Sequence, residues 1–141
     1  MIKKPKFRIT LSCIITKGEK VLLGKRSKNE DVLPGLWGLP GGNVKIEGNV
    51  QNIFESELKR EIKEEIGIEV DDLKYLESHS CNKIINLCFV TNVFSGEPKA
   101  LDETEEVRWF SYNDIKKLKL TPHTLQRIDF VFKKNGHFSI K

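Results

Sequence analysis

Cysteine is scarce in this chain, and no residue type runs long enough to dominate a segment. The three cysteines, Cys13, Cys81 and Cys88, form no CxxC pair and are odd in number. That excludes a zinc ribbon, a dithiol redox motif and a disulfide-stapled scaffold, and sets the expectation of a reducing, cytoplasmic environment. No apolar run approaches the ~18–20 residues that a membrane helix needs. The apolar stretch at 9–15 follows basic residues but is interrupted by Thr10 and Ser12 and has no small-residue cleavage site, so it is not expected to be a secretory signal. Repeats, low-complexity tracts and linkers are absent too, which excludes solenoids and tethered modules. Neither sign of charge prevails: 24 Lys and Arg face 20 Asp and Glu, a net +4. The basic residues are dispersed, and Lys3, Lys4 and Lys6 read as a solvated start, so neither a nucleic-acid surface nor a membrane surface is expected. With 141 residues, 38% of them hydrophobic, the chain is expected to form one domain over 1–141 around a single core.

What the chain does have is concentrated at 41–68. The second half of that stretch has the period of an amphipathic helix, in which Phe54, Leu58, Ile62 and Ile66 form an apolar stripe. At ~100° per residue, Glu57, Glu61, Glu64 and Glu65 share an arc of about 100° beside that stripe. Like charges at i,i+4 (Glu57/Glu61 and Glu61/Glu65) each oppose the helix by a few tenths of a kcal/mol. A hard divalent cation, Mg²⁺ or Mn²⁺, removes that cost because it takes carboxylate oxygens. A solvated acidic face balanced by Lys59, Arg60 and Lys63 explains the same spacing, and on spacing alone both readings stand.

The flanking residues distinguish them. Residues Arg60-Glu61-Ile62-Lys63-Glu64-Glu65-Ile66-Gly67-Ile68 match R-E-U-x-E-E-x-G-U, where U is aliphatic, and Pro40-Gly41-Gly42 precedes them. The chain resembles the Nudix hydrolases, which cleave nucleoside diphosphates linked to another moiety. The resemblance covers essentially the whole chain. It implies an α/β fold, a Nudix-type α/β/α sandwich with a mixed β-sheet. It also implies Mg²⁺ as cofactor, with Mn²⁺ as a substitute, Glu61, Glu64 and Glu65 as metal ligands, a small-molecule nucleotide as substrate, and a monomer or homodimer. Arg60 would orient the carboxylates by charge-assisted hydrogen bonds. The family pattern also places a glutamate eight residues before the arginine, where it supports the arginine and the metal site. Here that position is Asn52, because the Gly42-to-Arg60 segment is longer; Glu47, Glu57 or no residue substitutes.

Around the box, Phe7, Ile9, Leu11, Cys13 and Ile15 alternate with polar residues as in a half-buried strand. Lys17-Gly18-Glu19 reads as a turn, and a second strand around Val21, Leu22 and Leu23 completes a hairpin. Arg26 follows it, either a surface cation or, since the G-K-R-S segment resembles the MutT-like branch, an arm to substrate phosphate or sugar. The segment at 33–42 packs glycines and prolines around a few apolar residues, leaving amides free to face phosphate at Gly41 and Gly42. Within it Trp37 reads as core and Leu39 as a pocket lining. Asn49 or Asn52 is expected to cap the helix and Gly67 to end it.

Beyond the helix, strands are expected at 73–80 and, as one long element, at 84–94. His79 lacks metal-ligand neighbours. The run Glu103-Thr104-Glu105-Glu106-Val107-Arg108-Trp109 resembles an E-x-x-E-x-x-W region of Nudix proteins, in which a loop glutamate faces the metal. Glu103 is the first candidate for that role, as a further metal ligand, and Glu106 the second; an exposed acidic loop is the alternative. Ser111 is expected to cap a short helix through Leu118, and Thr121-Pro122 to open a final one ending at Asn135-Gly136, with Leu125, Ile128 and Phe132 buried. His123 and Thr124, in its first turn, either read the nucleobase or simply occupy an exposed helix start. Glu61, Glu65 and Glu103 are the candidates for general base. The MutT-like resemblance favours a nucleoside triphosphate, 8-oxo-dGTP first and an ordinary (d)NTP second, cleaved to monophosphate and pyrophosphate. ADP-ribose or another nucleotide sugar is the alternative substrate, and a non-catalytic nucleotide sensor the alternative of another class.

Overall fold

The computed structural model describes Lys4 and residues 6–133. Nine strands and three helices follow in the order β1 (Arg8–Lys17), β2 (Lys20–Arg26), β3 (Trp37–Gly38), β4 (Gly41–Asn43), α1 (Ile53–Ile66), β5 (Glu69–Asp71), β6 (Lys74–Cys81), β7 (Ile84–Thr91), β8 (Val93–Ser95), β9 (Thr104–Ser111), α2 (Tyr112–Ile115) and α3 (Thr124–Lys133). The large sheet runs β3-β2-β1-β7-β6, with β4 added to β1 and β9 to β2. Its β1–β7 pairing is parallel and the others antiparallel. This is the mixed sheet of the expected α/β fold.

Two apolar layers cover the sheet. On one face Leu58, Ile62 and Ile66 of α1 meet Leu11, Cys13 and Ile15 of β1; on the other Ile115, Ile128 and Phe132 of α2 and α3 meet Ile14, Val21, Cys88 and Val90. Burial of each large aliphatic chain contributes roughly 1.5–3 kcal/mol. The three on α1 therefore outweigh its like-charge repulsions, so the helix can carry an acidic edge. Strand β1 alternates only in its first half. From Cys13 to Thr16 every residue is buried, because a central strand is covered on both faces. Phe7, expected on the buried side, precedes the strand and lies 55% exposed.

Other expectations need correction. The long strand at 84–94 is two: the Thr91 hydroxyl takes the Val93 amide at 3.0 Å, and β8 leaves the large sheet to pair with β5. The glycine-rich segment becomes β3 and β4. Three of its amides are engaged within the protein: Trp37 N donates to Lys119 O, Gly35 N to Arg26 O and Gly41 N, expected to face phosphate, to a Glu65 carboxylate oxygen. Asn52 precedes α1 in the left-handed region and its side chain makes no capping bond, while Gly67 ends the helix as expected, donating to Lys63 O. Ser111 does cap α2, but that helix stops at Ile115. Helix α3 starts at Thr124 rather than around Pro122. The Leu120–Thr121 segment is held against β3, where Thr121 N donates to Trp37 O, and His123 is left-handed at φ 68°. The expected end at Asn135-Gly136 lies outside the described residues. No helix among the described residues is long and apolar enough to cross a membrane.

Candidate active site

The acidic edge of α1 is organised by one guanidinium. Arg60 Nε donates to Glu57 Oε2 at 2.8 Å, Nη2 to Glu61 Oε1 at 2.8 Å and to Glu57 Oε1 at 3.2 Å, and Nη1 to Glu64 Oε2 at 3.0 Å. Residues three and four apart on a helix share a face, so one planar fork can span three acids. Its bond to Glu57 is the chief cause that strengthens Arg60's hold on its proton. The same bond holds the Glu57 carboxyl below its ordinary range, and the Lys45 amide acts in the same direction. Glu61 goes the other way, because burial outweighs the Arg60 charge. Glu65 departs furthest: burial pushes its carboxyl up to about 8, the Gly41 amide opposes this, and the neighbouring Glu61 charge adds to it.

Two glycines bring this edge against the sheet. Strand β4 pairs with β1 through Gly41 opposite Ser12 and Gly42 opposite Leu11. A Cβ on Gly42 would lie 2.4 Å from both Cδ and Oε2 of Glu61, so the carboxylate occupies the space of the missing side chain. A Cβ on Gly41 would lie 1.9 Å from the Leu11 carbonyl oxygen. Gly41 N reaches Glu65 Oε1 at 3.4 Å. Thus Gly41, Gly42, Glu61 and Glu65 come together, while Glu64, half exposed, is turned to Arg60.

Beside them opens a groove of about 290 Å³ lined by Ser27, Glu30, Asp102 and Glu103 among others. The Glu30 carboxyl beside Glu103 is the chief cause that raises the Glu103 pKa. Arg26, at a register irregularity where β2 meets β9, donates from Nε to Val32 O at 2.8 Å and lies 3.7 Å from Glu30. Its charge acts on both Glu65 and Glu103, and Asp102 also acts on both. Asp102 and Glu30 escaped the sequence reading. Asp102 had one signal, adjacency to Glu103; Glu30 stands four residues after Arg26. Glu106, the second candidate, sits within β9 and pairs with Arg108.

The remaining candidates lie elsewhere. Leu39 is half-buried and packs with the core beneath α3. Thr124 is buried with its hydroxyl 2.6 Å from that of Thr121. His123 is exposed and stacks on His79, ring centroids 4.1 Å apart, and His79 Nε2 lies 3.1 Å from Glu77. Behind this pair Arg127, only 5% exposed, binds Glu77 and Asn86, and Asn86 in turn donates to Thr10 and Ser12.

A family model described as the Nudix domain matches residues 6–131. The chain belongs to the Nudix family. Its chemistry is therefore hydrolysis of nucleoside diphosphate derivatives, in a family that generally uses a divalent metal. A Methanocaldococcus jannaschii protein named ADP-ribose pyrophosphatase is 32% identical over 134 residues, covering 91% of this chain and 75% of the relative. The NAD-capped RNA hydrolase NudC of Pseudomonas aeruginosa is 29% identical over 115 residues, which span 79% of this chain and 38% of that longer protein. The crystal structure of a MutT Nudix hydrolase from Burkholderia pseudomallei aligns with a TM-score of 0.73 at 28% identity, covering 90% of this chain and 98% of that one.

The donor set of this Nudix chain suits a hard cation in kind. Glu61 and Glu65 offer carboxylate oxygens where burial disfavours their charge, and the hydrogen bond that opposes this at Glu65 is a long one from the Gly41 amide. The side chains are not drawn together, since among the described residues no three Asp, Glu, His or Cys side chains group as a metal cluster.

Proposed function

We propose that this Nudix protein is a MutT-like nucleoside triphosphate pyrophosphohydrolase. The carrying observation is the placement of Glu61 on Gly42 and Glu65 on the Gly41 amide, with Arg60 tying Glu61 and Glu64 to the same helix edge. Glu61 and Glu65, joined by Glu64 and with Glu103 as a further ligand, would hold Mg²⁺ or Mn²⁺; such an ion neutralises phosphate charge and lowers the pKa of an attacking water. Arg60 keeps the carboxylates oriented. Arg26, beside the groove, binds phosphate or sugar. Of Leu39, His123 and Thr124, the candidates for the nucleobase, His123 is the one exposed to reach a ligand. Glu61, Glu65 and Glu103 are the bases within the site that can take the proton of the water. The substrate is a small molecule, 8-oxo-dGTP first and an ordinary (d)NTP second, and 1–141 acts as one domain.

A second reading has its own observation. The relative at 32% identity is named for ADP-ribose, and hydrolysis there would use the same carboxylates on a different diphosphate.

Mg²⁺-dependent turnover over nucleoside triphosphates, ADP-ribose and dinucleoside polyphosphates, with products resolved by ³¹P NMR and Glu64→Gln as control, tests both. Monophosphate plus pyrophosphate from a triphosphate, lost in the variant, supports the first reading. AMP plus ribose phosphate from ADP-ribose moves the assignment to the second. Nucleotide binding with no turnover on any substrate refutes both and leaves a sensor.

A further inference from the structure

We propose that Glu57, from within α1, is the positioning residue that holds Arg60 and, through it, Glu61 and Glu64, taking the part that the family pattern gives to an acid at the position of Asn52. The proposal rests on the metal-dependent reading above.

The position of the displaced acid is accounted for by what surrounds it. Asn52 is exposed, left-handed and without a capping bond, and Glu47 is exposed in the segment after β4. Neither stands where Arg60 is held. Glu57 does: it is 8% exposed, and both of its oxygens are engaged. Oε2 accepts from Arg60 Nε at 2.8 Å; Oε1 accepts from Arg60 Nη2 at 3.2 Å and from the Lys45 backbone N–H at 2.6 Å. Two parallel bonds to one carboxylate fix the plane of a guanidinium as a single bond cannot. With that plane set, Nη1 is left for Glu64 and the remaining direction of Nη2 for Glu61. With its oxygens on Arg60 and Lys45, Glu57 acts through Arg60 and is no metal ligand.

The Lys45 bond adds a second consequence. It ties the start of the lengthened segment back to the helix, so the extra residues at 46–52 form an exposed excursion and leave the Gly41-Gly42 contact with Glu61 and Glu65 undisturbed. One acid one turn before Arg60 thus performs both tasks, which is why the box can lack its usual glutamate.

The test must separate positioning from simple attachment of Lys45. Glu57→Gln keeps an oxygen for the Lys45 amide but loses the charge and the two-pronged grip on Arg60. Mn²⁺ binding to the substrate-free protein is measured by electron paramagnetic resonance, alongside metal-free thermal midpoints. Partners that orient metal ligands typically change affinity by 10–100-fold. We expect Mn²⁺ affinity in Glu57→Gln to fall by about that much, with a midpoint near that of the wild type. Combining Glu57→Gln with Arg60→Lys should weaken binding no further than the worse single change. Affinity within twofold of wild type in Glu57→Gln, or additive losses in the double variant, overturns the proposal. If Glu57→Gln fails to fold, Glu57→Asp decides: one carbon shorter, it cannot hold Lys45 and Arg60 together, so wild-type affinity there overturns the proposal equally. Wild-type protein that binds no Mn²⁺ overturns the metal reading and this proposal with it.

Discussion

Adjacent glycines at 41 and 42 should fail in different ways when each is replaced by alanine. At Gly42 the new methyl would sit 2.4 Å from Cδ and Oε2 and 2.9 Å from Cγ of Glu61, all atoms of a flexible side chain. Glu61 can swing away, at the cost of its 2.8 Å bond to Arg60. Exposed or half-exposed ion pairs contribute about 0–1 kcal/mol, and Glu61 is only partly shielded, so the loss of stability should stay near 1 kcal/mol. The metal and the turnover should suffer more, by about 10–100-fold, because an acid that the site needs is displaced. At Gly41 the methyl would lie 1.9 Å from Leu11 O, 2.8 Å from Leu11 C and 2.9 Å from Ser12 Cα, all backbone atoms of the central strand. No rotamer relieves that contact, so β4 must move off β1. Forcing a methyl into packed structure costs typically 1–3 kcal/mol and sometimes more; broken pairing bonds add about 1 kcal/mol each. Urea midpoints of the metal-free proteins, with Mn²⁺ affinity and turnover on the same samples, distinguish the two. Equal destabilisation by both substitutions, or a Gly42→Ala protein with wild-type affinity and rate, would refute the placement of Glu61 against β4.

Glu65 gives a pH prediction. Its carboxyl is raised from 4.5 to about 8 in the folded protein, so the folded state holds a proton that the unfolded state has released between those values. Stability without metal should therefore fall as pH rises from about 4.5 to about 8, by up to about 5 kcal/mol at 1.36 kcal/mol per unit. Urea midpoints in EDTA at pH 5 to 8.5 should lose that part of the slope in Glu65→Gln; parallel curves for the two proteins would count against the burial of Glu65. Thiol reactivity gives another. Cys81 is exposed, whereas burial raises Cys13 well above its ordinary value and Cys88 to about 12. One equivalent of thiol should react rapidly with a disulfide reagent and vanish in Cys81→Ser; two fast equivalents would contradict the core packing.

Much of the fold was legible because it is local. The 3.6 period at 54–66, the alternation in the first half of β1, and Gly67 as a left-handed helix end each follow from residues within one or two turns of each other. Errors arose where a distant partner decided. Thr91 turns the chain toward β5, Trp37 holds the Leu120–Thr121 segment so that α3 starts late, and the β1 residues at 13–16 are buried on both sides because neighbours flank them.

The same division runs through the site. The sequence by itself determined the family, the carboxylates on one edge of α1 and the two glycines before it, because a helix repeats at a fixed angle and the motif has fixed spacing. Only the tertiary structure decided that Glu61 rests on Gly42, that Glu103 faces Glu30 while Asp102 stands near Glu65, and that Glu57 rather than Asn52 or Glu47 grips Arg60. Those contacts join segments far apart in the chain or depend on which of several nearby acids is buried. Spacing says which side chains share a face; it does not say which of them the rest of the molecule desolvates.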